Sequence, residues 1–257
     1  MPLTITAFNQ SVGAPSPVSG GPDRAVAAIF TADKNERETN PLTVRNCLGT
    51  GFLVNGYDIH FVTARHVVAA PLAQDEELVL AFNLDSGFLS IPVNSLSLSD
   101  STDLAFGTLL PENDVTIPGF QIARTVPINT DCSTLEHSGT GRNVSAGGML
   151  YNVRYRRGNI VSSGKYEYEG ILSESTVFEM SYPCLWGASG SPVFNSATLE
   201  LVGMMVQNVD HELAPSQLIK AVDDEGQLIE EIKYTIPQGI ALSAVTINSE
   251  LDVHVLH

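Results

Sequence analysis

Basic residues are scarce in this chain: 13 Lys and Arg stand against 29 Asp and Glu over 257 residues, for a net charge of −16. Such a surplus repels polyanions, so neither nucleic acid nor an anionic membrane surface is an expected partner. The one basic cluster, Arg154, Arg156 and Arg157, is short and lies in a strand-like run, which reads as a solvated face. Cysteine is sparse as well. Cys47, Cys132 and Cys184 are widely spaced and odd in number, which excludes a disulfide framework or a C-x2-C metal pair. Cys184 therefore reads as a packing thiol. No run of about 18 uncharged apolar residues is present to span a bilayer. The N-terminal stretch Met1-Pro2-Leu3-Thr4-Ile5-Thr6-Ala7-Phe8 lacks the basic start and apolar block of a secretory signal. With the odd cysteine count, that favours a cytoplasmic location. Gly139-Thr140-Gly141 and Gly147-Gly148 are not followed by Gly-Lys-Ser/Thr, which excludes a phosphate loop.

What is present is turn-rich and β-prone: 43% hydrophobic and 16% charged residues, with 21 Gly and 14 Pro. Strand-length runs bounded by Asp, Ser, Gly or Pro recur from Ala25 to Leu110. An Asn55-Gly56 hairpin turn separates Cys47–Val54 from Ile59–Ala64. About six short strands make a small barrel or a sandwich. The apolar pattern thins after Pro111, and a connection is expected at residues 123–143. A second strand set begins near Ala146 and runs on to Gly239–Ala244. The acidic stretch 209–231, with Asp210, Glu212, Asp223, Asp224, Glu225, Glu230 and Glu231, reads as a solvated insertion whose centre is a short helix or a long loop.

Three places carry chemistry. Trp186-Gly187-Ala188-Ser189-Gly190-Ser191-Pro192-Val193-Phe194-Asn195 reads as a tight loop entering a buried strand. Such a loop is either an ordinary turn or a mount for an exposed nucleophile, Ser189, with the Gly187 and Ser189 N–H groups available to an oxyanion. His66 ends a strongly β-prone strand, where it is a core histidine or a base. Asp103 enters a strand just as the chain becomes apolar, and a buried carboxylate there needs a partner. An imidazole donating its Nδ1–H would satisfy it and leave Nε2 to take the Ser189 proton.

Thr63-Ala64-Arg65-His66-Val67-Val68, then Asp103-Leu104-Ala105, then Gly187-Ala188-Ser189-Gly190-Ser191-Pro192 resemble the three motifs of the chymotrypsin-like serine proteases, in that family's chain order. An α/β-hydrolase would run serine, acid, histidine and would need glycine where Ser191 stands. Gly239–Ala244 also looks like the closing strand of bacterial trypsin-like peptidases. The resemblance, over residues 25–248, implies an all-β fold of two packed six-stranded antiparallel barrels with the active site in the cleft between them. It divides the chain into an irregular lead-in (1–24), a first barrel with His66 and Asp103 (25–122), a linker (123–143), a second barrel with Ser189 (144–248) and a C-terminal tail (249–257).

The implied activity is that of a serine endopeptidase acting on a polypeptide substrate. His66, Asp103 and Ser189 form the triad, Gly187 and Ser189 the oxyanion hole, and no metal or cofactor is required. The alternative is a catalytically silent binding or scaffold module on the same fold. Trypsin-like members carry an aspartate six residues before the serine, where this chain has Pro183. The pocket histidine of the bacterial glutamyl endopeptidases is replaced by Met205. The implied pocket, Pro183, Cys184, Trp186, Val206, Gln207 and Asn208, is uncharged and suits an uncharged side chain. Position 188, where secreted digestive members carry the aspartate that pairs with a new N-terminus, is alanine.

Overall fold

In the computed structural model, the described residues are 3–7, 21–34, 44–84, 87–110, 115–138, 140, 152–168, 171–212, 219–222, 228–232 and 235–255. A first strand, β1 (Leu3–Ala7), precedes β2 (Val26–Asp33), β3 (Val44–Leu53), β4 (Phe61–Thr63), β5 (Glu76–Leu84), β6 (Gly87–Leu98) and β7 (Ala105–Leu109). These last six close into an antiparallel barrel in the order β2-β3-β4-β7-β6-β5. After β8 (Val115–Gly119) come β9 (Asp131–Glu136), β10 (Arg154–Tyr168), β11 (Ile171–Met180), β12 (Pro192–Asn195), β13 (Leu201–Glu212), β14 (Ile219–Val222), β15 (Leu228–Ile232) and β16 (Thr235–Ser243). A second closed barrel runs β10-β11-β16-β13-β12-β9. The choice between barrel and sandwich is thus settled: closure pairs every strand on both sides and leaves neither barrel an open edge.

The barrels meet through aromatic packing. Phe120 contacts Phe52 edge-on at 5.9 Å between ring centroids and Phe194 of β12 at 5.4 Å. All three rings are fully buried. A helix after β16, α2 (Ala244–Val255), adds a second tie: Tyr57 donates to Asn248 Oδ1 at 2.7 Å.

Four boundaries differ from those expected. The stretch read as a linker, 123–143, contains β9, a strand of the second barrel. Its polarity hid it: Ser133, Thr134 and Glu136 are fully buried, and each is matched by a partner. Thr134 donates to the Pro192 carbonyl at 2.7 Å, the Ser133 hydroxyl meets those of Tyr155 and Ser196, and Arg156 donates to Glu136 Oε1 at 2.8 Å. Arg156 thus neutralises a buried carboxylate, whereas Arg157, paired with Asp131, lies on the solvated face expected for the cluster. The tail read at 249–257 is largely helical. Ser243 Oγ accepts the Thr246 N–H at 3.2 Å as an N-cap does, and Ala244, Ile247 and Leu251 bury one helical face.

The lead-in holds β1, which pairs in parallel with β8. The acidic stretch is neither helix nor loop over its described residues: β13 extends to Glu212 and β14 pairs with β15. Ala146, the expected start of the second strand set, lies outside the described residues.

His137, at the end of β9, is almost completely buried, and burial pulls its pKa down to about 4. The unfolded imidazole titrates near 6.5, so between those values the unfolded chain binds more protons and stability falls as pH falls. His60 is lowered by the same cause and acts in the same direction. We expect denaturation midpoints to report a loss on the order of 3 kcal/mol from pH 7 to pH 4, most of it from His137. A His137→Gln variant should have a markedly flatter profile in that window; an unchanged slope would remove His137 as its cause.

Candidate active site

The antiparallel pairing of β4 with β7 sets the first half of the site. Thr63 lies opposite Ala105, so the residues just after β4 and just before β7 emerge together at one end of the barrel. His66 stands there in the short helix α1 (Arg65–Val68), and Asp103 lies in the turn before β7. His66 Nδ1 is 2.7 Å from Asp103 Oδ2, and the His66 backbone N–H donates to Asp103 Oδ1 at 3.0 Å. Both carboxylate oxygens are therefore engaged by one residue. Asp103 is buried while the His66 side chain is 31% exposed, so the acid is sheltered and the ring reaches the cleft.

A polar turn holds that carboxylate in place. Ser99 Oγ accepts the N–H groups of Ser101 and Thr102 at 3.2 and 3.1 Å, and the Asp103 carbonyl accepts the Arg65 N–H at 3.2 Å. Glu250 of α2 accepts hydrogen bonds from Ser99 Oγ at 2.9 Å and Ser101 Oγ at 2.6 Å. This support was not foreseen, because Glu250 falls in the stretch read as a tail and lies 151 residues from Ser99.

Ser189 arrives from the second barrel on the loop before β12. Gly187 and Gly190 take φ of +88° and +82°, a left-handed conformation that favours glycine. At Gly190 space also forbids a side chain: a Cβ would lie 2.0 Å from the Thr50 carbonyl oxygen and 3.1 Å from the Ala64 nitrogen. The loop is thus seated on the end of β4, next to the residues that carry His66. Thr50 of β3 donates its N–H to the Ser189 carbonyl at 3.0 Å and its hydroxyl to the Gly187 carbonyl at 2.9 Å. Among the described residues, neither the Gly187 nor the Ser189 N–H donates to a backbone carbonyl. The Ser189 hydroxyl donates to the Val206 carbonyl at 3.2 Å. Val206 is the extra residue of a β-bulge in β13, between Met205 and Gln207, which turns that carbonyl out of the ladder.

The residues expected to form a pocket sit on two facing segments. Pro183, half-buried Leu185 and exposed Trp186 flank the buried Cys184 on one; Val206, Gln207 and Asn208 form the other. The Asn208 side chain joins the two. Its Oδ1 accepts the Cys184 N–H and its Nδ2 donates to the Cys184 carbonyl, both at 2.6 Å. The Met205 methyl packs against Gly239, where a Cβ would come within 2.4 Å of it. Sequence alone marked Asn208 as an uncharged wall; its role as a bridge depends on the strand register.

A family model described as a trypsin-like peptidase domain matches residues 49–204. Among solved structures, the chain is similar to the apo MamO protease domain from Magnetospirillum magneticum, at 15% identity and a TM-score of 0.55, over 89% of this chain and 96% of that one. It is similar to mouse neuropsin, a serine protease, at 14% identity and TM-score 0.55, over 90% and 94%. The HtrA-type protease AlgW, solved with a decapeptide, matches at 16% identity and TM-score 0.55, over 90% of this chain and 65% of that one. No curated protein sequence matches.

Burial raises the Cys184 and Cys132 thiols to about 12 and that of Cys47 to about 11, so none is a ready nucleophile. In the native protein at pH 8, iodoacetamide should alkylate Cys184 and Cys132 at least about a hundredfold more slowly than an unstructured thiol, with full reaction on denaturation. Native labelling of Cys184 at the free-thiol rate would contradict its placement as a buried, protonated neighbour of Ser189.

Proposed function

Since the chain belongs to the trypsin-like peptidase family, we propose that it is a serine endopeptidase working through His66, Asp103 and Ser189. The observation that carries the reading is the 2.7 Å contact of His66 Nδ1 with a buried Asp103, beside a glycine-hinged loop presenting Ser189. With Nδ1–H donated to the carboxylate, Nε2 is the basic nitrogen. On attack the Ser189 proton passes to Nε2 instead of the Val206 carbonyl, and Oγ bonds to the scissile carbonyl carbon. The oxyanion is met by the Gly187 and Ser189 N–H groups. The imidazolium, stabilised by Asp103, then protonates the leaving amine as the C–N bond breaks, leaving an acyl-enzyme. Water, deprotonated by His66, releases the acid and restores Ser189.

Substrate choice follows from the two facing segments. The Asn208 side chain spans the two segments and neither carries a charge, so the site suits a short, uncharged substrate side chain such as alanine or serine. No side chain on these segments would neutralise a substrate lysine or arginine.

A fluorophosphonate probe should label Ser189, and Ser189→Ala or His66→Ala should abolish both labelling and peptide hydrolysis while leaving the fold intact. Asp103→Asn should lower kcat by about 10⁴, the magnitude known for a triad whose acid is replaced by its amide. A correctly folded protein that resists the probe at all concentrations would favour the silent binding module. On peptide libraries, cleavage should follow small uncharged residues. Asn208→Gly should raise the kcat/KM ratio of leucine over alanine at that position by about tenfold, within the range one apolar pocket contact supplies. Wild-type preference for arginine or phenylalanine would refute the bridged pocket.

A further inference from the structure

We propose that Thr50 is the positioning residue of the oxyanion loop: its side-chain hydroxyl and backbone N–H tie the Gly187 and Ser189 carbonyls, and so hold the peptide groups on either side of the one that carries the Ser189 N–H. The inference rests on the protease reading of the same site and adds a residue to it that no motif identifies.

The loop 187–190 contains no ionisable side chain. Ala188, at its centre, is fully buried and offers only a methyl group, so the loop is held by neutral hydrogen bonds alone. Within the second barrel, among the described residues, these are Ala188 N–H to Leu185 O at 2.8 Å, Ser191 N–H to Ala188 O at 3.0 Å, Gly190 N–H to Met205 O at 2.8 Å and Ser189 Oγ to Val206 O at 3.2 Å. They do not reach the Gly187 or Ser189 carbonyls. Both of those are taken by Thr50, the first by Oγ1 and the second by the backbone N–H.

The direction of the hydroxyl is unambiguous. His137 donates its backbone N–H to Thr50 Oγ1 at 3.0 Å, so the oxygen accepts there, and its single proton goes to the Gly187 carbonyl, which can only accept. Thr50 is itself immobilised: it is fully buried, and its carbonyl accepts the Thr63 hydroxyl at 2.7 Å. One side chain therefore connects β3, the end of β9 and the nucleophile loop.

The consequence for catalysis is geometric. Fixing the Gly187 carbonyl sets the plane of the 187–188 peptide, and fixing the Ser189 carbonyl sets that of the 189–190 peptide. The peptide between them, which carries the Ser189 N–H, is held from both sides. Gly187, at φ +88°, has the conformational freedom to swing its own N–H away unless its carbonyl is tied. A hole whose donors are not held in advance must be organised during the reaction, and that costs rate.

The test compares Thr50→Val, which keeps the shape and removes the hydroxyl, with Thr50→Ser, which keeps the hydroxyl. Thr50→Ala, which leaves room for water to solvate the two exposed groups, stands in if the valine variant does not fold. Four measurements are made on the full chain: fluorophosphonate labelling of Ser189, kcat and KM on a cleaved peptide, amide hydrogen exchange at Ala188, Gly190 and Ser191, and melting temperature. We expect Thr50→Val to lower kcat by about tenfold to a hundredfold, below the cost of deleting an oxyanion donor outright, with KM within about twofold. Exchange at the three loop amides should quicken by at least about tenfold, and Thr50→Ser should restore both within about threefold.

Unchanged loop exchange in Thr50→Val overturns the proposal, as does a serine variant no better than the valine one at equal stability. A wild-type protein that never labels overturns the protease reading instead, and the exchange measurements then still decide whether Thr50 holds the loop.

Discussion

The seating of one loop on the neighbouring barrel is the constraint on which the site depends. Gly190 approaches the Thr50 carbonyl so closely that no other residue fits, and Thr50 returns two hydrogen bonds to the same loop. The first barrel, holding His66 and Asp103, and the second, holding Ser189, are brought into register there. Because each barrel is closed and internally paired, small shifts cannot be absorbed by a fraying edge. The alignment is carried instead by a few fixed contacts: the Thr50 hydrogen bonds, the stack of Phe52, Phe120 and Phe194, and the α2 contacts to Tyr57, Ser99 and Ser101.

The two halves of the site are stabilised differently. Around Asp103 the chain uses a local polar turn, and its carboxylate is satisfied twice by His66 within a buried setting. That arrangement avoids the penalty of an unpaired buried charge, and it orients the ring with the same two bonds. In the second barrel the polar burden is larger. Glu136 is fully buried against Arg156 and Ser138, and Cys132, Tyr182 and Cys184 are buried in the same barrel. Desolvation keeps those thiols and the phenol protonated.

Much of this was legible in the chain. Alternating β-prone runs between turn residues located most of the first barrel, because each strand alternates or buries whole apolar runs in the way its sequence suggests. His66 and Asp103 were findable since each sits where an apolar strand meets a polar turn. Where the pattern failed, the interior was polar. Ser133, Thr134 and Glu136 look like linker residues until Pro192, Ser196, Tyr155 and Arg156 are seen to satisfy them. The helix α2 is hidden for a different reason: its valines, threonine and isoleucine suggest no helix, yet it forms one on the Ser243 cap and buries Ala244, Ile247 and Leu251.

By itself the sequence determined the β class, the chain order histidine, acid, serine, the two glycines that give the Ser189 loop its left-handed turns, and the lack of charge at positions 183, 188 and 205. Those are properties of residue type and local spacing, and they hold whatever the chain packs against. Only the tertiary structure decided that Thr50 clamps Gly187 and Ser189, that Asn208 crosses to Cys184, and that Glu250 supports the turn before Asp103. Each of these is a hydrogen bond between residues 24 to 151 positions apart. Such a bond depends on barrel closure and strand register, and a threonine, an asparagine or a glutamate in the chain carries no local mark of the partner it will meet.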